Sequence, residues 1–204
     1  MRIQHLGVVL LALLVLPAIA AAEDRGSEYT GLLAKLKAGD TSVDYGRLRL
    51  SYMDSAERKH AKDTSKQEDA MLQALNAKQY AEALKNAEDV LANEYVNIDA
   101  HFVAYVANRE LGAADKADFH RAVFRGLIDS IVHSGDGKAP ESAWVVITVH
   151  EEYVVLRALG FQPSGQSLLS QGGHSYDVMK VKDDDGAEHT FYFNVDIPMS
   201  HYGF

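Results

Sequence analysis

Apolar residues recur at helical spacing from Ser27 to about His133. The first apolar face follows the i, i+3, i+4, i+7 pattern of an α-helix and consists of Tyr29, Leu32, Leu33 and Leu36. Gly39 predicts the end of this helix, because glycine readily takes the left-handed conformation found at helix C-termini. The side-chain oxygens of residues 40–42 predict the cap of a second helix. The apolar side of that second helix is expected to consist of Tyr45, Leu48 and Tyr52.

Residues 56–65 are polar and charged, which predicts a helix end followed by a solvated loop. Beyond this loop, small residues and larger apolar residues alternate in a way that predicts a series of antiparallel helices. The positions concerned are Leu72, Leu75, Tyr80, Ala83, Leu84, Ala87, Ala100, Tyr105, Ala107, Leu111, Gly112 and Ala117. Ala83 and Ala117 lie 34 residues apart, and this is the period of a tetratricopeptide repeat.

Residues 100–117 resemble the tetratricopeptide pattern closely, whereas residues 70–95 depart from it. Asn76 stands where the pattern has glycine, and no proline occurs near Glu94. Two interpretations therefore stay open, repeat-like helical hairpins or an ordinary antiparallel bundle. In both, the helix over residues 115–133 is expected to pack through Phe119, Val123, Phe124, Leu127, Ile128 and Ile131.

The pattern changes after residues 134–137, where glycines followed by Pro140 indicate a break. Residues 144–149 are dense in strand-favouring side chains and predict a buried strand. Residues 151–159 predict a helix that ends at Gly160. Residues 162–173 are rich in glycine and serine, which predicts a loop with at most a short strand.

A β-hairpin is predicted near the end of the chain. Residues 176–182 and 189–197 have the character of strands, and the Asp-Asp-Asp-Gly sequence at 183–186 suits the turn between them. Because a lone hairpin is marginally stable in water, we expect it to pair with the 144–149 strand in a small antiparallel sheet. The predicted fold class is α+β, with a helical repeat-like part at 23–134 and a small α+β part at 135–204 packed on it within one shared domain.

The N-terminus has the order of a secretory signal peptide. Arg2 and His5 precede an apolar run at residues 6–16, and a proline and small residues follow. The run is too short to span a bilayer, which takes about 20 apolar residues. We expect cleavage of residues 1–22 after Ala22, with Ala20 as the alternative, and a periplasmic or secreted mature protein.

Composition narrows the classes of function. The chain contains no cysteine, which excludes thiolate catalysis and thiolate metal sites. Its net charge of −9 disfavours nucleic acid as a partner, because it repels phosphate backbones. No other stretch approaches membrane-spanning length, so no integral membrane segment is expected after cleavage.

Three motifs resemble those of an exported bacterial family of unknown function. They are the GDTSVDYGRLR sequence at residues 39–49, the EEYVVLRALG sequence at 151–160, and the closing hairpin that runs from GGHSYDV at 172 to YFNVDIP at 198. Together they span nearly all of the mature chain. The resemblance implies a shared fold and carries no catalytic residue, cofactor or substrate.

The predicted binding surface lies on the closing hairpin. Alternate residues of a strand share a face, so Tyr192, Asn194 and Asp196 lie together and the residues between them are predicted to be core. With two residues of the preceding strand they form the candidate binding residues, which are Tyr176, Asp177, Tyr192, Asn194 and Asp196.

The most enzyme-like residues are His174, Asp177 and His189. The two histidines are expected at opposite ends of the hairpin, so no metal site is predicted. The His-Glu-Glu sequence at 150–152 lacks the second histidine of a zinc-protease helix and predicts a polar helix start. Residues 183–186 resemble part of a calcium loop but are predicted to form a turn with solvated charges.

No complete catalytic constellation, cofactor site or metal site is predicted. The leading hypothesis is therefore a non-enzymatic interaction module of the bacterial envelope that binds a protein or peptide partner. The alternative is a metal-dependent or hydrolytic enzyme that uses His174, Asp177 and His189. A third hypothesis is a purely structural role in envelope assembly.

Overall fold

The computed structural model describes residues 16–202, with side chains over residues 25–200. Residues 1–15, which hold most of the predicted signal peptide at residues 1–22, lie outside the described residues. None of the helices within 16–202 is both long enough and apolar enough to cross a membrane. The fold is α+β, as predicted from the sequence.

Helices make up the first part of the described chain. They are α1 (Leu16–Lys37), α2 (Tyr45–Tyr52), α3 (Ala56–Lys59), α4 (Ser65–Asn76), α5 (Tyr80–Leu91), α6 (Ile98–Glu110) and α7 (Ala114–Val132).

The predicted end of α1 is confirmed, since Gly39 has a φ of 97°. The predicted cap of α2 at residues 40–42 is wrong. The Asp44 side chain caps α2 by accepting a hydrogen bond from the Arg47 backbone N–H, because Asp44 directly precedes the first helical turn. Asp40 instead accepts two hydrogen bonds from Ser42 in a local turn.

Helices α4–α7 form two consecutive antiparallel hairpins, which confirms the helical hairpins predicted from the spacing. Small buried residues let these helices approach closely, and they include Ala83, Ala87, Ala100, Ala104, Ala107 and Ala117. The turns of the two hairpins are equivalent: Lys78 and Gly112, 34 residues apart, both have positive φ, at 58° and 79°. The residue of the first turn that corresponds to Gly112 is therefore Lys78, two positions after Asn76.

Two hydrophobic cores support the fold. The smaller core joins α4, α5 and α6 through Met71, Ala83, Val90 and Val103. The larger core contains side chains from before and after residue 134, among them Leu36, Leu48, Leu127, Val155, Met179 and Phe193. Helices α1, α2 and α7 thus share one core with the C-terminal elements.

A four-stranded sheet with two helices follows α7 and a short 3-10 helix at Pro140–Ser142. Its elements are β1 (Trp144–Val145), α8 (Val149–Ala158), β2 (Gln162–Gln171), β3 (His174–Lys182), β4 (Glu188–Asn194) and α9 (Asp196–Tyr202). The strand order is β1-β4-β3-β2.

The predicted β3–β4 hairpin is confirmed, with Gly186 at a φ of 82° in its turn. The sheet is mixed and not wholly antiparallel, because β1 runs parallel to β4. The predicted strand at 144–149 is also too long, since Thr148 caps α8 and the helix begins at Val149.

The prediction of a loop at residues 162–173 is wrong. Residues 162–171 form the edge strand β2, which pairs antiparallel with β3 through a turn at Gly172 and Gly173, both at positive φ. All but one residue of β2 are exposed. A strand exposed on both faces buries no alternating apolar side chains, so its sequence lacks the period-two pattern by which strands are recognised.

Replacing Lys78 by glycine tests the strain in the first hairpin turn. A left-handed conformation costs a residue with a side chain about 1–2 kcal/mol, and glycine adopts it freely. We expect Lys78→Gly to raise the free energy of unfolding by about 1 kcal/mol, and Gly112→Ala to lower it by a similar amount, as measured by urea unfolding. A loss of stability in Lys78→Gly would contradict this assignment.

Candidate functional site

The first turn of α8 presents four consecutive side chains to four different parts of the fold. Successive helical residues point about 100° apart around the axis. His150 therefore contacts α6, Glu151 contacts α2, Glu152 lies beside β3, and Tyr153 contacts β2. This turn is the junction between the helical hairpins and the sheet.

Glu151 forms a buried ion pair with Arg49 of α2. The Arg49 Nε atom donates to Glu151 Oε1 at 2.9 Å, and Nη2 donates to Oε2 at 2.5 Å. The side chains of the two residues are only 2% and 7% exposed. Arg49 also donates to the Ser130 hydroxyl on α7 and to the Val145 carbonyl on β1, and Glu151 accepts the Ile147 backbone N–H. The pair thus connects four elements.

Asp99, near the start of α6, binds two basic side chains of α8, His150 and Arg157. Its carboxylate is 3% exposed and accepts hydrogen bonds from His150 Nε2, at 2.9 Å, and from Arg157. The hydrogen bond to Asp99 raises the pKa of His150. Both His150 and Arg157 remain more than half exposed. They therefore lie on the surface, and their hydrogen bonds to the buried Asp99 orient them.

Glu152 lies in the interior next to Asp177 of β3. Asp177 accepts a hydrogen bond of 2.6 Å from the Gln166 side-chain amide on β2, and the Tyr153 hydroxyl donates to the Gln166 carbonyl oxygen at 2.7 Å. Burial and the neighbouring Asp177 raise the pKa of Glu152 to about 9.

An open groove of about 650 Å³ lies between the α3–α4 connection, the α5–α6 connection and the start of α8. The N-termini of α4, α6 and α8 all reach it. Its apolar lining consists of Tyr52, Ala61, Val96, Ile98, Val149 and Val154. This volume lies within the range of about 300–1,000 Å³ typical of ligand sites.

Charged side chains of both signs line the groove. Arg58 and Lys62 lie on one side and, among the described residues, make no ion pair. Glu68 and Glu94 lie in the same groove and likewise have no cationic partner within 4.0 Å in the described part of the chain. Burial and the charge of Glu68 raise the pKa of Glu94.

Two histidines fix the chain next to Glu94. His101 is fully buried, and its Nε2 donates to the Tyr95 carbonyl at 2.9 Å. Its Nδ1 must then act as acceptor for the Nδ1–H of His120, 3.0 Å away on α7. Burial lowers the pKa of His101 to about 3 and that of His120 to about 4, so both are neutral at pH 7.

The structure separates the candidate residues predicted on the hairpin. Tyr176 lies opposite Asn194, and Tyr192 lies opposite Val178, so these side chains share one face of the sheet. Asp177 lies on the other face, opposite Phe193. Tyr176 is itself buried. The binding role predicted for Tyr176, Asp177, Tyr192, Asn194 and Asp196 stays a prediction.

Asp196 has a clear local role. Its carboxylate accepts hydrogen bonds from His174 Nδ1 at 2.6 Å, from the Ser175 backbone N–H at 2.8 Å and from the Asn194 side chain at 3.2 Å. These contacts join the end of β4 to the start of β3 where α9 begins.

The structure does not bring His174, Asp177 and His189 together. His174 contacts Asp196, Asp177 contacts Gln166 and Glu152, and His189 contacts Asp183. Within the described ranges, no cluster of three or more histidine or acidic side chains is arranged to hold a metal ion.

Sequence reasoning missed the buried acids of α8. Glu151 and Glu152 were predicted to form a polar helix start, yet they are 5% and 0% exposed. A signal was present: Glu151 lies three and four residues before Val154 and Val155, which are buried, and therefore shares their face of the helix.

Comparison with known proteins agrees with the resemblance to a family of unknown function. The chain belongs to the family described as a domain of unknown function (DUF4919), whose model matches residues 19–203. No curated protein and no solved structure gives a significant match.

The buried ion pair yields a test by paired substitution. Arg49→Met leaves the Glu151 carboxylate buried without its cation, and we expect a loss of about 3–5 kcal/mol in the free energy of unfolding. In Arg49→Met combined with Glu151→Met, neither charge remains, so the loss is expected to be smaller than the sum of the two single losses. Urea unfolding of the four proteins measures this coupling, and additive losses would contradict a direct interaction.

Proposed function

We propose that this protein is an exported, non-enzymatic interaction module of the bacterial envelope, and that its groove binds a segment of a partner protein carrying a basic side chain. The observation that carries the proposal is the groove itself, which combines an apolar lining with two carboxylates, Glu68 and Glu94, that form no ion pair within the described residues. An exported location is supported by the order of charged, apolar and small residues at the N-terminus.

The two carboxylates of the groove, opposite Arg58 and Lys62 in sign, favour a basic ligand group. Glu68 and Glu94 repel each other in a partly desolvated setting, and this repulsion together with burial raises the pKa of Glu94. A lysine or arginine side chain placed between them would remove the repulsion and form charge-assisted hydrogen bonds. Aliphatic side chains next to it would cover the apolar lining at Val96 and Val149.

The shape of the groove supports selective binding. Its walls come from connections whose ends are capped and hydrogen-bonded, with Asn97 capping α6 and Thr148 capping α8. The Arg49–Glu151 pair and the histidine contact to Tyr95 hold these walls. A ligand would therefore bind a largely preformed site and lose less free energy in ordering it.

The enzymatic alternative built on His174, Asp177 and His189 has less support, since each of the three contacts a different partner. It stays a prediction. Hydrolytic activity lost on His174→Ala in a protein that folds normally would favour it over the interaction module.

A random peptide library selected on the purified mature protein tests the proposal. We expect enriched peptides to carry lysine or arginine beside apolar residues. Their affinity should fall at least tenfold when Glu68→Gln and Glu94→Gln are combined, because a charge-assisted hydrogen bond contributes about 1.5–3 kcal/mol and each 1.4 kcal/mol is about a factor of ten in affinity. The matched control is Glu82→Gln, an exposed acid of α5 outside the groove. Failure to enrich any peptide, or equal binding to the doubly substituted protein, would contradict the proposal.

A further inference from the structure

Glu152 and Asp177 form a carboxyl pair in the interior, between α8 and β3. Glu152 is 0% exposed and Asp177 is 7% exposed. Neither residue belongs to the groove, and neither takes part in the Arg49–Glu151 ion pair. Two ionised carboxylates at such a position would repel each other strongly, because water does not screen them.

The hydrogen bonds around the pair are incomplete if both groups are ionised. Within the described residues, no donor reaches either carboxyl oxygen of Glu152. Asp177 does have a donor, the Gln166 side-chain NH2 at 2.6 Å. The Tyr153 hydroxyl binds the carbonyl oxygen of Gln166 and so orients its NH2 group toward Asp177. Asp177 therefore has a hydrogen-bond donor, whereas the carboxyl group of Glu152 has none.

Among the residues that the structure describes, no cationic side chain forms an ion pair with Glu152. The groups that act on it are Asp177 on β3 and Glu151 on its own helix, both acidic. The Arg49 guanidinium from α2 faces Glu151 and is bound to it through two nitrogens. The polar side chains from β2 and α8, Gln166 and Tyr153, are neutral and are directed to Asp177 and to each other.

We propose that Glu152 and Asp177 form a proton-binding site. In this site Glu152 carries a proton and donates a hydrogen bond through it to Asp177, and this hydrogen bond joins α8 to the sheet. The missing hydrogen bond of Glu152 is then supplied by the proton itself. Loss of this proton in alkali leaves two buried like charges and loosens α8 from β3.

The direction of the pH effect follows from proton binding. The pKa of Glu152 is raised from 4.5 to about 9 by burial and by Asp177. As pH rises between these values, the unfolded chain releases its proton and the folded protein keeps it, so stability falls with rising pH over this range. Above about pH 9 the folded protein also releases the proton, and the slope ends.

A direct measurement is the 13C NMR titration of the Glu152 side-chain carboxyl carbon in the full mature protein. We expect its midpoint near pH 9, well above the ordinary glutamate value of 4.5. In Asp177→Asn the neighbouring charge is gone, and the midpoint is expected to move down. A midpoint close to 4.5 in the unsubstituted protein would overturn the proposal.

Urea unfolding supplies a second measurement that does not depend on NMR assignment. Glu152→Gln replaces the shared proton by a permanent amide donor, so the urea midpoint of this variant should exceed that of the unsubstituted protein increasingly from pH 5 to pH 9. The exposed control Glu82→Gln should show no such trend. A constant difference between Glu152→Gln and the unsubstituted protein across this range would overturn the proposal. A further contradicting result would be that calcium chloride raises the urea midpoint of the unsubstituted protein at pH 9 to the value of Glu152→Gln. That result would also overturn the proposal, because the site would then bind a metal cation in place of a proton.

Discussion

The buried ion pair of Arg49 and Glu151 is the polar contact that joins the helical part of the molecule to the elements of the sheet. Removing both charges from water costs several kcal/mol for each ion, and the structure offsets this with two direct hydrogen bonds and further contacts to Ser130, Val145 and Ile147. These partners belong to α2, α7, β1 and the turn before α8. The pair therefore sets the position of the sheet relative to the helical hairpins.

The groove follows from this arrangement. One of its walls is the first turn of α8, and the others come from α4 and from the start of α6. Arg49 binds Glu151, and Asp99 accepts a hydrogen bond from His150. These two contacts fix the first turn of α8, which forms one wall of the groove.

Local patterns predicted the local elements well. The helices with alternating alanines and leucines, the end of α1 at Gly39 and the turn at residues 183–186 all follow from residue types at short spacing. The β2 strand could not be recognised in this way, since an exposed edge strand has polar residues on both faces. The position of β2 is determined by backbone hydrogen bonds to β3, and this pairing does not require a particular pattern of side chains.

The candidate site could not be predicted from short sequence patterns, because it is formed by contacts between residues far apart in the chain. Arg49 and Glu151 are 102 residues apart in the chain, and a charged residue is normally predicted to lie at the surface. The spacing from Glu151 to Val154 and Val155 could have revealed that this acid faces the core. Nothing in the sequence around Arg49 or Glu68 indicates which groups lie opposite them.

The central claim is that the ion pair joins the helical hairpins and the sheet into one cooperative unit. Urea unfolding of the protein, followed simultaneously by Trp144 fluorescence and far-ultraviolet circular dichroism, tests it most directly. Trp144 is the one tryptophan of the chain and lies in β1 stacked on Phe191, whereas the dichroism signal reports mainly on the helices. We expect the two transitions to coincide. A fluorescence transition at clearly lower urea would show that the sheet unfolds by itself and would contradict the claim.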